Sequence, residues 1–306
     1  MKYGISMIVR GDAAGPETFD RMAERAEMHQ WDCLWVSDHL IMPPLRVSRY
    51  PGRADGQLPA AWKRTYYQPF SVLNYLAART RTVRLGLSVL ILPMRNPIEV
   101  AAQIAEMDQL SGGRINFGVG VGWCREEFDA LGYEFGNRGA RTDDGLALIK
   151  SLWSQDKTTV DGPYYHFADA EMGPKPLQQP HPPIYIGGNT PAALRRVARF
   201  GDAWHPFKLT PQALAEARPA LEAALQREGR PIAGFPIALK IPLTFQDGPA
   251  MEGQAPTEGR AQDIIESLKR YRDAGATEFC FDIMTETLAV ALDTMARFVE
   301  DVRPHL

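Results

Sequence analysis

The sequence predicts an α/β fold of the (β/α)8 type, a TIM barrel with insertion segments, and three observations carry that reading. Eight strand-like runs alternate with helical patterns, which implies parallel strands. Proline follows a tolerated cap residue at helix starts: Gly15-Pro16, Asn96-Pro97, Thr190-Pro191 and Thr210-Pro211. The length, 306 residues, exceeds the roughly 250-residue framework of such a barrel by enough to leave room for insertions.

The strand-like runs are Tyr3 to Val9, Cys33 to Ser37, Arg84 to Leu92, Arg114 to Val119, Pro183 to Ile186, Asp202 to His205, Ile237 to Thr244 and Glu278 to Asp282. Apolar residues spaced by threes and fours mark the intervening helices, as in Phe19, Met22, Ala23 and Ala26, and again in Leu146, Ile149, Leu152 and Trp153. Gly201, Gly229 and Gly275 follow helical runs where a left-handed residue is wanted. An open dinucleotide-binding sheet is disfavoured, because Val9 to Gly15 lacks the Gly-x-Gly-x-x-Gly spacing after the first strand. The organisation expected is one domain over residues 1–306, with a lid-like insertion at about 40–68 and a hairpin with a Pro-rich connection at about 155–182.

Composition narrows the partners. A net charge of -3 without a long basic tract gives no general attraction to nucleic acid, so a small organic molecule is the expected partner. No apolar run approaches the ~20 residues of a membrane span, and the N-terminal residues enter a strand directly, so no membrane association and a cytoplasmic location are expected. Cys33, Cys124 and Cys280 are too few and too scattered for a disulfide framework or a metal cluster.

In such barrels the carboxyl ends of the strands line the site. The second strand ends in Ser37-Asp38-His39, where an imidazole can carry a proton near neutral pH and an adjacent carboxylate can bias its charge. The alternative is that His39 caps the strand. His205 ends the sixth strand beside Trp204 and is read as pocket wall, and Asp282 ends the eighth as a ligand or a cap. Gly118, Gly120 and Gly122 precede Trp123 and remove side chains where something flat or phosphorylated can approach. Gly187-Gly188-Asn189-Thr190-Pro191 runs from a strand into a helix start, a place where free amides and the helix dipole attract an anion. The same glycines also serve simply to close a tight turn. The insertion after His39 carries Arg46, Arg49, Arg53, Lys63 and Arg64 against Asp55, a basic lid or a solvated loop. Trp62, Tyr66, Trp204, His205 and Phe207 are the expected substrate pocket and suggest an apolar or aromatic substrate.

These segments together, Ser37-Asp38-His39, Leu87 to Leu90, Arg95-Asn96-Pro97, Ser111-Gly112-Gly113-Arg114, Gly118 to Trp123 and Gly187 to Pro191, resemble the bacterial-luciferase-like oxidoreductases over nearly the whole chain. Within that superfamily the chain is most similar to the branch using the deazaflavin coenzyme F-420. The resemblance implies a homodimer, a flavin-type ring over the strand ends, and a cofactor phosphate on Gly187, Gly188, Asn189 and Thr190. It also implies a non-prolyl cis peptide at Ser88–Val89, forming a bulge against the ring, and places Asp38 and His39 at the deazaflavin. Sugar-phosphate dehydrogenases of the branch bear a glutamate directly after the glycine run, where this chain has Trp123, which argues against glucose 6-phosphate as substrate.

The expected chemistry is hydride transfer between the deazaflavin and a small organic substrate, with His39 relaying a proton and Asp38 orienting its ring. Alternatives are an FMN-dependent monooxygenase on the same barrel, a flavin-binding protein without turnover, and a phosphate-handling aldolase or isomerase. The last would need a strand-end lysine, for which Lys240 is the one candidate.

Overall fold

The computed structural model describes every residue except Arg64, 249–254, Met284 and Glu286. The chain begins with β1 (Lys2–Ser6), α1 (Pro16–Met28) and β2 (Cys33–Val36). It continues through α2 (Pro69–Arg79), β3 (Arg84–Leu87), a short β4 (Leu90–Ile91), α3 (Pro97–Ser111), β5 (Ile115–Gly120), α4 (Arg125–Ala130) and α5 (Arg138–Ser154). An antiparallel hairpin of β6 (Thr158–Asp161) and β7 (His166–Ala170) follows. Then come β8 (Ile184–Gly187), α6 (Pro191–Phe200), β9 (Ala203–His205), α7 (Pro211–Arg227), β10 (Ala238–Pro242), the small pair β11 (Thr244–Phe245) and β12 (Glu258–Gly259), α8 (Ala261–Asp273), β13 (Glu278–Asp282) and α9 (Leu288–Arg297).

Eight parallel strands form the barrel in the order β10-β13-β1-β2-β3-β5-β8-β9. Backbone bonds between the two ends of that order, Trp204 N to Pro236 O (3.0 Å) and Lys240 N to Pro206 O (2.9 Å), bring it round to closure. All eight strand-like runs of the sequence are present. The third is divided, because the chain leaves the ladder at Ser88 and Val89 and rejoins it as β4, which pairs with β5. The peptide between Ser88 and Val89 is cis, as the resemblance implies.

Each of the four proline-marked starts opens a helix. Asn96, Thr190 and Thr210 accept from Ile98 N, Ala193 N and Ala213 N, satisfying an amide that the helix leaves free. The glycine stops divide differently. Gly229 and Gly275 have positive φ, whereas Gly201 is extended at φ -85°. A Cβ at Gly201 would stand 2.9 Å from Ile186 Cγ1, so close packing rather than a left-handed turn explains that glycine.

The barrel interior is filled by Cys33, Trp35, Tyr185, Ala203, Ala238 and Cys280, with Trp35 the largest. A larger apolar shell lies between strands and helices. Parallel strands covered on both faces need this two-sided burial.

At the bulge the fit is closest. A Cβ on Gly118 would overlap the carbonyl oxygen of Leu87, and one on Gly120 would stand 2.5 Å from Val89 Cγ2. On β8, a Cβ at Gly187 would meet Val89 Cγ1 at 3.1 Å. Three glycines on two neighbouring strands thus make room for Leu87 and Val89. Gly118→Ala forces backbone to move and is expected to cost roughly 3 kcal/mol or more in urea unfolding, the upper end for overpacking. Gly145→Ala inside α5, where the nearest atoms lie at 3.5 Å, is expected to gain about 0.5–1 kcal/mol from helix propensity in the same measurement.

Candidate active site

A cavity of about 290 Å³ opens at the carboxyl ends of the strands. Its floor contains Ser88, Val89, Gly120, Gly187 and His205. His205 Nδ1 lies 2.6 Å from Ala238 O, and a carbonyl can only accept, so Nδ1 carries the hydrogen. Nε2 is then an acceptor and takes the Ser88 hydroxyl proton at 2.8 Å. The imidazole stacks on Trp35, with centroids 5.2 Å apart. Burial first, and the Lys240 charge second, push the His205 pKa down to about 3. His205 is therefore a neutral strut under the cavity floor.

His39 forms another wall. Its Nδ1 meets Glu127 Oε2 at 2.7 Å, while Glu127 Oε1 accepts from Leu40 N (2.7 Å) and Ile41 N (3.3 Å). Glu127 is fully buried in α4, and its carboxylate fixes the imidazole with Nδ1 as donor, leaving Nε2 with no bond to any described residue. Tyr66 and Trp123 pack edge-on against the ring at 5.5 and 5.8 Å. Asp38 is not the partner of His39. Consecutive residues at a strand end point apart, and the Asp38 carboxylate binds Arg95 Nη2 (2.7 Å) and Ile91 N (2.9 Å) instead. Asp38 lines the cavity but ties β2 to the segment beyond the bulge.

The segment after His39 is held by the same helix start. Glu126 Oε1 accepts from the amides of Arg46, Val47 and Ser48 at 2.7, 2.7 and 3.1 Å. Burial opposes ionisation there, but these bonds prevail and hold the carboxyl below its usual range. Tyr50, Trp62 and Tyr66 from this segment line the cavity, and Lys208 Nζ bonds Gly52 O at 2.6 Å. Arg53 pairs with Asp55 at 2.7 Å, and Arg49 bonds the Asp55 carbonyl at 3.0 Å, so both turn back onto the segment. Arg64 and the side chain of Lys63 lie outside the described residues.

At the strand-to-helix turn Gly187 and Gly188 line the cavity, and Gly188 has φ +111°. Thr190 caps α6. Asn189 grips the backbone of Phe207, donating to its carbonyl (2.7 Å) and accepting from its amide (3.0 Å), which sets Phe207 at the cavity edge. No described residue accepts a hydrogen bond from the backbone amides of Asn189 and Thr190. The other glycines serve the protein itself: Gly120 and Gly187 clear Val89, and a Cβ on Gly122 would meet Ile91 and Phe128.

Beside the bulge, Asp282 stands between two cations, 3.4 Å from Arg10 Nη2 and 3.9 Å from Lys240 Nζ. Arg10 also donates to Ser37 Oγ (3.2 Å) and lies over Trp62, 4.0 Å from the ring centroid. Burial disfavours the Asp282 charge, but Lys240 and Arg10 outweigh it and keep the carboxyl below its usual range.

Of the residues expected from sequence, Asp38, His39, Trp62, Tyr66, Ser88, Val89, Gly120, Gly122, Trp123, Gly187, Gly188, His205 and Phe207 converge on this one cavity. Trp204 does not. Ala203 and His205 face inward, so strand alternation turns Trp204 outward, where it is fully buried and donates through Nε1 to Gly188 O at 2.8 Å. Sequence reasoning missed Glu127, Arg10 and Arg95. Two adjacent glutamates at a helix start after a barrel strand were the available signal for Glu127.

A luciferase-like monooxygenase family model matches residues 1–277. A coenzyme F-420-dependent glucose-6-phosphate dehydrogenase of Kineococcus radiotolerans is 33% identical over 239 residues, 74% of this chain and 64% of that protein. Among solved structures, an F-420-dependent secondary alcohol dehydrogenase in complex with an F-420–acetone adduct superposes with a TM-score of 0.80 at 20% identity, covering 99% and 98% of the two chains. The oxygenating constituent of 3,6-diketocamphane monooxygenase from Pseudomonas putida, in complex with FMN, does so with 0.78 at 14%, again covering 99% and 98%. No helix among the described residues is long and apolar enough to cross a membrane.

His205 links the floor to stability. An unfolded histidine takes up a proton below about pH 6.5, whereas His205 in the folded chain resists until about 3. Its contribution is present above pH 6.5 and is lost as pH falls through that window. His205→Asn, which retains a donor for Ala238, is expected to flatten that part of the decline when denaturant midpoints are compared from pH 7 to 4.

Proposed function

Because the chain belongs to the luciferase-like monooxygenase family and is an oxidoreductase of that class, we propose that it transfers a hydride between the deazaflavin coenzyme F-420 and a small organic substrate in the cavity above Val89. The observation that carries this reading is His39 facing that cavity at the barrel mouth with its Nδ1 held from behind by the buried Glu127. The named F-420-dependent relative supports the deazaflavin over FMN.

The residues present suit such a cofactor. The Asn189 and Thr190 amides, free of described partners at the start of α6, offer donors to a phosphate, with Gly188 supplying the turn. Val89, bedded in glycine, offers a rigid apolar support to a flat ring. When bound, the deazaflavin supplies or accepts the hydride. His39 holds or moves the accompanying proton at Nε2, since Glu127 occupies Nδ1. Trp62, Tyr66 and Phe207 exclude water from the space beside it. Asp38 acts on position alone, holding Ile91 and Arg95 behind the bulge. A homodimer and a cytoplasmic location, both expected from sequence, are parts of the same proposal, and light scattering checks the first.

His39→Ala is expected to leave coenzyme affinity within about 2-fold and to lower turnover ~100-fold or more. Glu127→Gln keeps a hydrogen-bonding group but loses the charge, and is expected to lower turnover ~10-fold with coenzyme affinity again retained. Fluorescence titration of the purified protein with F-420 and with FMN tests the cofactor: retention of the deazaflavin alone supports the proposal, and uptake of neither removes it.

A further inference from the structure

Among the described residues, the two cations beside the bulge carry more positive charge than Asp282 balances. Arg10 and Lys240 share that one carboxylate at 3.4 and 3.9 Å, both long for ion pairs. The side chains of Arg10, Lys240 and Asp282 are 11, 12 and 9% exposed, so the surplus positive charge sits in a nearly dry cavity wall. Buried charge is costly unless it is paired. Among the described residues, the other carboxylates beside the cavity are committed elsewhere: Asp38 to Arg95, Glu127 to His39 and the Leu40 amide.

Among the described residues, the remaining polar contacts of the two cations are with neutral groups. Lys240 Nζ reaches the Ser88 carbonyl at 3.2 Å and Arg10 reaches Ser37 Oγ at 3.2 Å. Trp62 lies against one face of the Arg10 guanidinium, which directs binding to the N–H edges of its fork. Ser37 is in turn held by the Tyr66 hydroxyl at 2.6 Å, and the Tyr66 ring packs on His39. An anion at Arg10 therefore stands one aromatic residue away from the His39 imidazole.

We propose that the substrate is a small aromatic or apolar carboxylic acid, its carboxylate held beside Asp282 by the N–H donors of Arg10 and Lys240 that Asp282 leaves free, and its apolar body lying among Trp62, Tyr66 and Phe207. This names the substrate class of the reaction proposed above and rests on that reading only in taking the cavity as the place where substrate lies. The carboxylate pairs the surplus charge, and a neutral analogue leaves it unpaired, so recognition discriminates acid from alcohol rather than one apolar skeleton from another.

Isothermal calorimetry with benzoate and benzyl alcohol tests the proposal, on the purified protein alone and with saturating F-420. Benzoate is expected to bind at least 10-fold more tightly than benzyl alcohol. Arg10→Gln and Lys240→Gln are each expected to weaken benzoate about 10-fold while leaving benzyl alcohol unchanged, with Arg10→Lys restoring part of the loss. Thermal melts of each variant separate this effect from loss of fold. Equal binding of acid and alcohol, or benzoate affinity untouched by both glutamine variants, overturns the proposal. So does a weakening of coenzyme binding by those variants with no effect on benzoate. If F-420 fails to bind but benzoate selectivity and its loss in the variants persist, the hydride-transfer reading falls and the anion seat stands.

Discussion

The bulge at Val89 depends on empty space. Its side chain and the Leu87 carbonyl project from the third barrel strand into positions where any residue of β5 or β8 other than glycine would place a Cβ. Gly118, Gly120 and Gly187 are thus a steric requirement of the fold before they are a feature of any ligand site. The consequences run through the mouth. With the chain displaced at Ser88, the serine hydroxyl turns to His205 Nε2, and the second nitrogen of that ring goes to the Ala238 carbonyl, joining the third, sixth and seventh barrel strands beneath the cavity. A ring held by two bonds and stacked on Trp35 cannot reorient to do proton chemistry, and burial keeps it neutral. The floor is fixed, and reactivity is left to the walls.

On the wall formed by α4, two consecutive glutamates do related work. Glu126 collects three amides of the segment after β2, and Glu127 collects two more together with the His39 imidazole. Five backbone donors that would otherwise face water or a low-dielectric wall are satisfied by two side chains from one helical turn. The position of His39 and the course of the covering segment are set by the same short helix. A displacement of α4 would therefore alter the imidazole and the cover over it together, which is how a site on a loop gains the precision of one on a rigid element.

Local pattern carried most of the fold. Strand alternation, proline starts and the strand-to-helix turn at Gly187 are short-range signals, and all eight barrel strands follow from them. The residues converging on the cavity were legible for the same reason, since a strand end is recognisable without its neighbours. What sequence could not give was partnership across the barrel. His39 and Glu127 lie 88 positions apart, whereas Asp38 is adjacent, and adjacency favoured the wrong carboxylate. Trp204 was misplaced by one step of a period-two pattern, because a three-residue strand offers too little alternation to fix its inward face. Gly201 and Gly120 were read as turn and ligand clearance, when the atoms they make room for come from β8 and from the Ser88–Val89 bulge.

The two walls of the cavity are electrically unlike, and that difference gives the site a direction. One wall presents an imidazole tied to a buried carboxylate, with its free nitrogen unclaimed by any described residue. The other presents two cations over a single carboxylate, backed by an indole. Between them lies an apolar support, Val89, seated against Gly120 and Gly187. A molecule with one anionic end is therefore oriented before any reaction begins, its charge drawn to the Arg10 side and its remainder toward His39. Orientation of that kind lowers the entropic part of a barrier without any contact at the reacting atoms. Asp38 adds no unpaired charge to the space between the walls, because its carboxylate is paired with Arg95 at 2.7 Å.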